Sequence, residues 1–206
     1  MKRKFILLFF AFITTINANA QLTKNYWLIG GSGSFKTYKS NETFMFPVST
    51  GEYTEIQRNI KQFDAVPKVG YFIVDKFAVG LSASFSSAKS TSKTLNGSAS
   101  GGSSKSYSFS AGPFMRYYFL DEDKPFNILT EINYQYGKSI NLDEKGSINK
   151  FILLIGPEIF LNSSTGLEFL MGYDYNKIKM ENKNSVSTTN NGFFFAIGFQ
   201  LHLEKR

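Results

Sequence analysis

The sequence predicts an all-β fold, a closed up-and-down barrel of eight antiparallel strands that crosses a membrane. Three observations predict it. An export signal opens the chain; from Phe63 to Leu203 apolar residues occupy alternate positions whose parity changes only at turns; and the connections between strands alternate short with long. Successive side chains of a strand point to opposite faces, so each alternating segment has one oily face and one polar face.

The export signal comes first. Lys2-Arg3-Lys4 supplies positive charge, Phe5 to Ile16 an apolar run, and Ala18-Asn19-Ala20 a small-residue cleavage site, so residues 1–20 are expected to be removed and the barrel domain to occupy 21–206. The apolar run is shorter than the ~20 residues a spanning helix needs. No later stretch is apolar enough for such a helix, in keeping with the mean hydropathy of -0.17. The remainder is one domain with a sizeable core. Cysteine is absent, which excludes disulfides and thiolate metal sites. Removing Lys2, Arg3 and Lys4 from the 23 cations leaves 20 against 16 acids, a net +4. So mild an excess provides no footprint for nucleic acid.

Eight strand-like segments follow in order. The first, Asn25 to Phe35, is glycine-rich and its facing is ambiguous. The second places Phe63, Ala65, Pro67, Val69, Tyr71 and Ile73 on one face, opposite Asp64, Lys68 and Gly70. The third runs Phe77 to Phe85, and the fourth sets Tyr107 through Phe119 against Ser108, Ser110, Gly112 and Arg116. After Leu120 to Pro125 the parity flips to Phe126, Ile128, Thr130, Ile132, Tyr134 and Tyr136, as an even-numbered turn demands if the oily face is to stay on one side. The sixth carries Phe151 to Ile159, the seventh Leu167 to Tyr175, and the last Phe193, Phe195, Ile197, Phe199, Leu201 and Leu203. Short turns are expected at 74–76, 120–125 and 162–166, and long loops at 36–61, 86–106, 137–149 and 176–191. In an outer-membrane barrel short turns are periplasmic and long loops external, which places both termini in the periplasm.

Alternation alone does not separate a membrane barrel from a soluble ligand-binding barrel, whose oily face turns inward. The polar face decides. It carries Gly80, Ser82, Ser84, Ser110, Gly112, Gly156, Gly172 and Gly198, where a solvated exterior would favour Thr, Lys and Glu. Small residues mixed with a few long polar ones suit the interior of an eight-stranded barrel, which side chains can just fill. Aromatics near strand ends, such as Tyr107, Phe119 and Tyr175, suit interfacial girdles.

Pro67-Lys68-Val69-Gly70-Tyr71-Phe72, Phe77-Ala78-Val79-Gly80-Leu81 and Gly112-Pro113-Phe114-Met115-Arg116-Tyr117-Tyr118-Phe119 resemble the short eight-stranded outer-membrane β-barrel family, OmpA-like and OmpX-like, over essentially the whole mature chain. The resemblance implies the outer membrane of a Gram-negative bacterium. It implies as partners the surrounding lipids, lipopolysaccharide and the barrel assembly machinery, for which Phe195, Ile197, Phe199 and Leu201 of the last strand form the lipid-facing assembly segment. Its motifs speak to architecture and not to activity; the role expected from the whole reading is structural or surface-interacting, with a small porin-like channel as the alternative, and an outer-membrane enzyme or a soluble ligand-binding barrel fits less well.

Lys68, Arg116, Glu131, Glu158 and Glu168 fall on the interior face and predict an ionic network that fills the lumen. Arg116 and Glu131 flank one turn at a spacing that sets them opposite or diagonal, so removing Arg116 is expected to strand Glu131. Acid–base chemistry is disfavoured because there is a single histidine, His202, expected at the membrane interface near the periplasmic end. A lone histidine is no zinc site, and no helix pattern follows Gly30-Gly31-Ser32-Gly33 to make a phosphate loop. No metal, cofactor or catalytic residue is expected. Lys89, Lys93 and Lys105 fall in a predicted flexible loop able to meet lipopolysaccharide phosphates, and Phe44, Met45 and Phe46 form an apolar cluster at the outside, a candidate contact for a surface protein.

Overall fold

The computed structural model describes residues 22–45, 53–94, 102–121, 124–141, 144–180 and 187–204. The expected signal, residues 1–20, lies outside them. Eight strands follow in chain order: β1 (Tyr26–Met45), β2 (Tyr53–Val74), β3 (Phe77–Thr94), β4 (Ser103–Tyr118), β5 (Phe126–Asn141), β6 (Glu144–Asn162), β7 (Thr165–Met180) and β8 (Ser187–Glu204). Each pairs antiparallel with the next, and β8 returns to β1 from Tyr26↔Glu204 to Ser34↔Ala196, so the sheet closes. Over that span closure leaves no edge of unpaired N–H and C=O groups, which a bilayer would not solvate; beyond Ser34 and Ala196, β1 and β8 no longer pair with each other.

The alternation seen in the sequence is the pleat of these strands. Phe85, Phe109, Phe169 and Ile197 stand outward with 43–59% of their surface exposed, part of a continuous apolar belt. Trp27, Ile29 and Phe35 face outward and Leu28 and Ser34 inward, which resolves the facing of β1. Its glycine-rich segment runs as strand.

The turns at 75–76 and 163–164 are tight. Lys76 takes a left-handed φ of 65°, uncommon for a residue with a Cβ. Two backbone bonds hold it there, Lys76 N–H to the Leu22 carbonyl (2.8 Å) and Tyr118 N–H to the Lys76 carbonyl (2.9 Å). The segment before β1 thus closes the short-turn end, and Leu22 is driven fully into the core.

The other end departs from expectation. Most residues assigned to long loops are strand: β1 runs to Met45, β2 starts at Tyr53, β3 continues to Thr94 and β4 starts at Ser103. Lys89 and Lys105 therefore pair on the β3–β4 ladder and Lys93 pairs with Gln57 on the β2–β3 ladder, so all three lie on strands and not on a flexible loop. Alternation ceases there because neither face meets lipid, yet the backbone still gains by pairing, and Ser and Thr are compatible with extended structure. Strands of 16–22 residues far exceed the ~9–11 that cross a bilayer, so the sheet extends beyond the apolar belt.

Candidate functional site

Inward-facing residues stack in levels from the short-turn end upward. At the base Leu22, Leu28, Phe72, Tyr118, Leu129 and Phe160 pack together, all buried. Directly above lies the ionic cluster. Register brings its members together: Arg116 pairs with Glu131 across β4–β5, and Glu158 with Glu168 across β6–β7. All five side chains expected there meet in it, none with any exposed side-chain surface.

Arg116 is its hub. Its Nε donates to Glu131 Oε2 at 2.7 Å, and its Nη1 donates to Glu168 and to the Tyr118 hydroxyl (3.0 Å) while lying 3.9 Å from Glu158 Oε2. Glu131 also accepts from Lys68 Nζ at 2.6 Å and Asn133 Nδ2 at 2.8 Å. Glu168 accepts from Gln200 Nε2 at 3.2 Å, and Glu158 from the Tyr118 hydroxyl at 2.7 Å. Like charges directly opposed in a sheet repel; the Glu158–Glu168 pair stands because Arg116 serves both. Room for these carboxylates comes from glycine. A Cβ on Gly166 would collide with Glu158, and one on Gly198 with Glu168.

His202 corrects the sequence-based expectation. It is fully buried within the barrel, not at the membrane interface, with Nε2 2.8 Å from Glu158 Oε1 and its ring among Phe72, Phe160 and Tyr118. The signal was parity: Ala196, Gly198 and Gln200 face inward, and His202 continues that series. Three carboxylates face two permanent cations, and His202 Nε2 is the further nitrogen in contact with one of them, Glu158. Tyr118 and Gln200 were missed for a different reason, because their sequence neighbours are apolar and nothing local marks them as network partners.

Higher up, Ser82 donates to Asn133 (2.8 Å), and Ser84 and Ser110 to Gln135 (2.7 and 2.9 Å). Above these a second, unanticipated charged group surrounds the floor of an open cavity of about 890 Å³ at the long-loop end. Lys36 Nζ lies 3.1 Å from Asp174 and 3.7 Å from Asp64, and over the Phe194 ring. Asp64 also accepts from Ser34, Gln62 and Ser86. Lys150 lines the same cavity. Among the described residues no cluster of His, Cys, Asp and Glu is suited to a metal.

The outward residues of β8 behave as expected, with Phe195, Ile197 and Phe199 exposed and Leu201 partly so. Phe44 and Met45 close β1, but their side chains, and Phe46 altogether, lie outside what is described.

A family model for the outer membrane protein beta-barrel domain matches residues 75–206. Among solved structures the chain is similar to the outer membrane protein OprG from Pseudomonas aeruginosa, with a TM-score of 0.56 at 14% identity over 91% of this chain and 100% of that one. It is also similar to Neisserial surface protein A, with a TM-score of 0.51 at 14% identity over 86% of this chain and 97% of that one. No curated protein sequence matches.

Proposed function

Because the chain belongs to the outer membrane protein beta-barrel domain family, we propose that it is a non-enzymatic barrel of the Gram-negative outer membrane whose lumen is sealed by its own side chains. Short turns and both termini face the periplasm, and the vestibule above the seal opens outward. The observation that carries this reading is the complete burial of Lys68, Arg116, Glu131, Glu158 and Glu168 above a base of packed rings. A water-filled path would hydrate at least one of those carboxylates. The same burial argues against catalysis, since His202 and Glu158, the best-placed acid–base pair, have no face open to a substrate. The belt of Phe195, Ile197, Phe199 and Leu201 would meet lipid, and before insertion the assembly machinery.

The test is conductance. Purified, refolded protein in planar bilayers should stay at background at all voltages, while its gel mobility shifts on boiling, as expected of a detergent-resistant closed sheet. Discrete conductance steps would favour the small porin-like channel, with the open vestibule as its outer half.

A further inference from the structure

Lys150 is an anomaly among the buried cations. Lys68 and Arg116 each sit against carboxylates, and Lys36 rests on Asp174. Lys150 is only 6% exposed, lines the vestibule, and among the described residues makes no hydrogen bond or ion pair. The charged groups near enough to act on it are Asp64, Lys36 and Asp174. Asp64 is already served by Ser34, Gln62, Ser86 and Lys36, and Asp174 by Lys36. Asp64 and Asp174 act on Lys150 through space but neither reaches it in an ion pair, so its charge is incompletely matched and an anion from outside would complete it.

We infer that the vestibule is a binding site for a small hydroxylated oxyanion, such as a sugar phosphate or sugar acid, with its anionic group on Lys150. The cavity is within the size range of ligand sites. Its walls carry hydroxyls and amides, among them Ser106, Ser108, Ser139, Asn176, Asn190 and Asn191, which both donate and accept hydrogen bonds as a polyol requires. Lys36 stands by as a second cation, held back by Asp174. The reading rests on the outward-open vestibule proposed above.

The test uses the full refolded barrel and calorimetric titration with glucose 6-phosphate, inorganic phosphate and glucose. Glucose 6-phosphate should bind at one site, with glucose weaker by about tenfold or more, the worth of a charge-assisted hydrogen bond. Lys150→Met should lose about the same factor, and Lys150→Arg should retain binding within a few fold. Asp174→Asn should tighten binding several-fold by releasing Lys36; this variant keeps Lys150, so it decides the matter even if Lys150→Met fails to fold. Equal binding of glucose and glucose 6-phosphate, no binding of either, or indifference to Lys150→Met in a folded barrel would each overturn the proposal. Inorganic phosphate binding as tightly as the sugar phosphate would overturn the hydroxylated ligand, and displacement of the probe by lipopolysaccharide vesicles would overturn the free solute in favour of a lipid headgroup. Bilayer conductance is read separately, so a failed seal and a failed binding site give different results.

Discussion

Replacing Arg116 by Met keeps the bulk of the side chain and removes its charge. Glu131 would still hold Lys68 at 2.6 Å and Asn133 at 2.8 Å, so it keeps a cation. Glu158 keeps His202 and Tyr118. Glu168 is left with the 3.2 Å bond from Gln200 alone, and is the carboxylate that becomes stranded. The sequence-based expectation named Glu131, because β4–β5 register pairs it with Arg116; the structure shows that the cluster crosses the lumen as well as following the sheet. Breaking a buried pair costs ~3–5 kcal/mol, and full burial on both sides places Arg116→Met in that range. Adding Glu168→Gln should recover most of the loss, whereas adding Glu131→Gln should recover little, since it leaves Lys68 without its acid. Trp27, the single tryptophan, sits on the outward face and reports unfolding in urea by fluorescence in lipid vesicles. A single variant within ~0.5 kcal/mol of wild type, or a better rescue from Glu131→Gln, would refute the reasoning. Conductance appearing with stability unchanged would assign the cluster to gating.

Three further outcomes are expected. Ile197→Arg places a charge on the outward belt of β8 and should cost ~2–4 kcal/mol if it lies at mid-bilayer, read as lost membrane assembly, whereas Ser187→Arg, at the same parity beyond the belt, should assemble normally. Gly198→Ala drives a methyl into the Glu168 carboxylate and should destabilise by ~1–3 kcal/mol in the same urea assay; a neutral result would show that Glu168 can move aside without loss. Asp121, in the turn after β4, is held below the ordinary carboxylate range by the hydrogen bond and charge of Lys76. Its contribution is therefore complete above the unfolded pKa of about 4 and lost as pH falls through the depressed value. The melting-temperature difference between wild type and Asp121→Asn should close in acid, and a difference persisting there would mean that packing, not charge, is at work.

The sequence by itself determined everything that follows from a period of two. Strand number, the outward belt, the tight turns, the small-residue interior and the five charged residues Lys68, Arg116, Glu131, Glu158 and Glu168 of the ionic cluster were legible because one lipid-facing side forces alternation, and alternation assigns every intervening residue to the lumen. His202 obeyed the same rule and was misplaced only because its position near the end of the chain was given more weight than its parity. What tertiary structure alone decided lies where that constraint lapses or where contacts cross the lumen. Beyond the belt both faces meet water, so polar residues that read as loop are strand, and β1 through β4 run much further than their oily segments. Glu168 meets Arg116 at a separation of 52 residues, and Lys36 meets Asp174 at 138. Parity says that these side chains point inward, but which of them touch depends on the tilt and closure of the whole barrel. That same closure leaves Lys150 buried at an open cavity, near Asp64 and Asp174 but in an ion pair with neither.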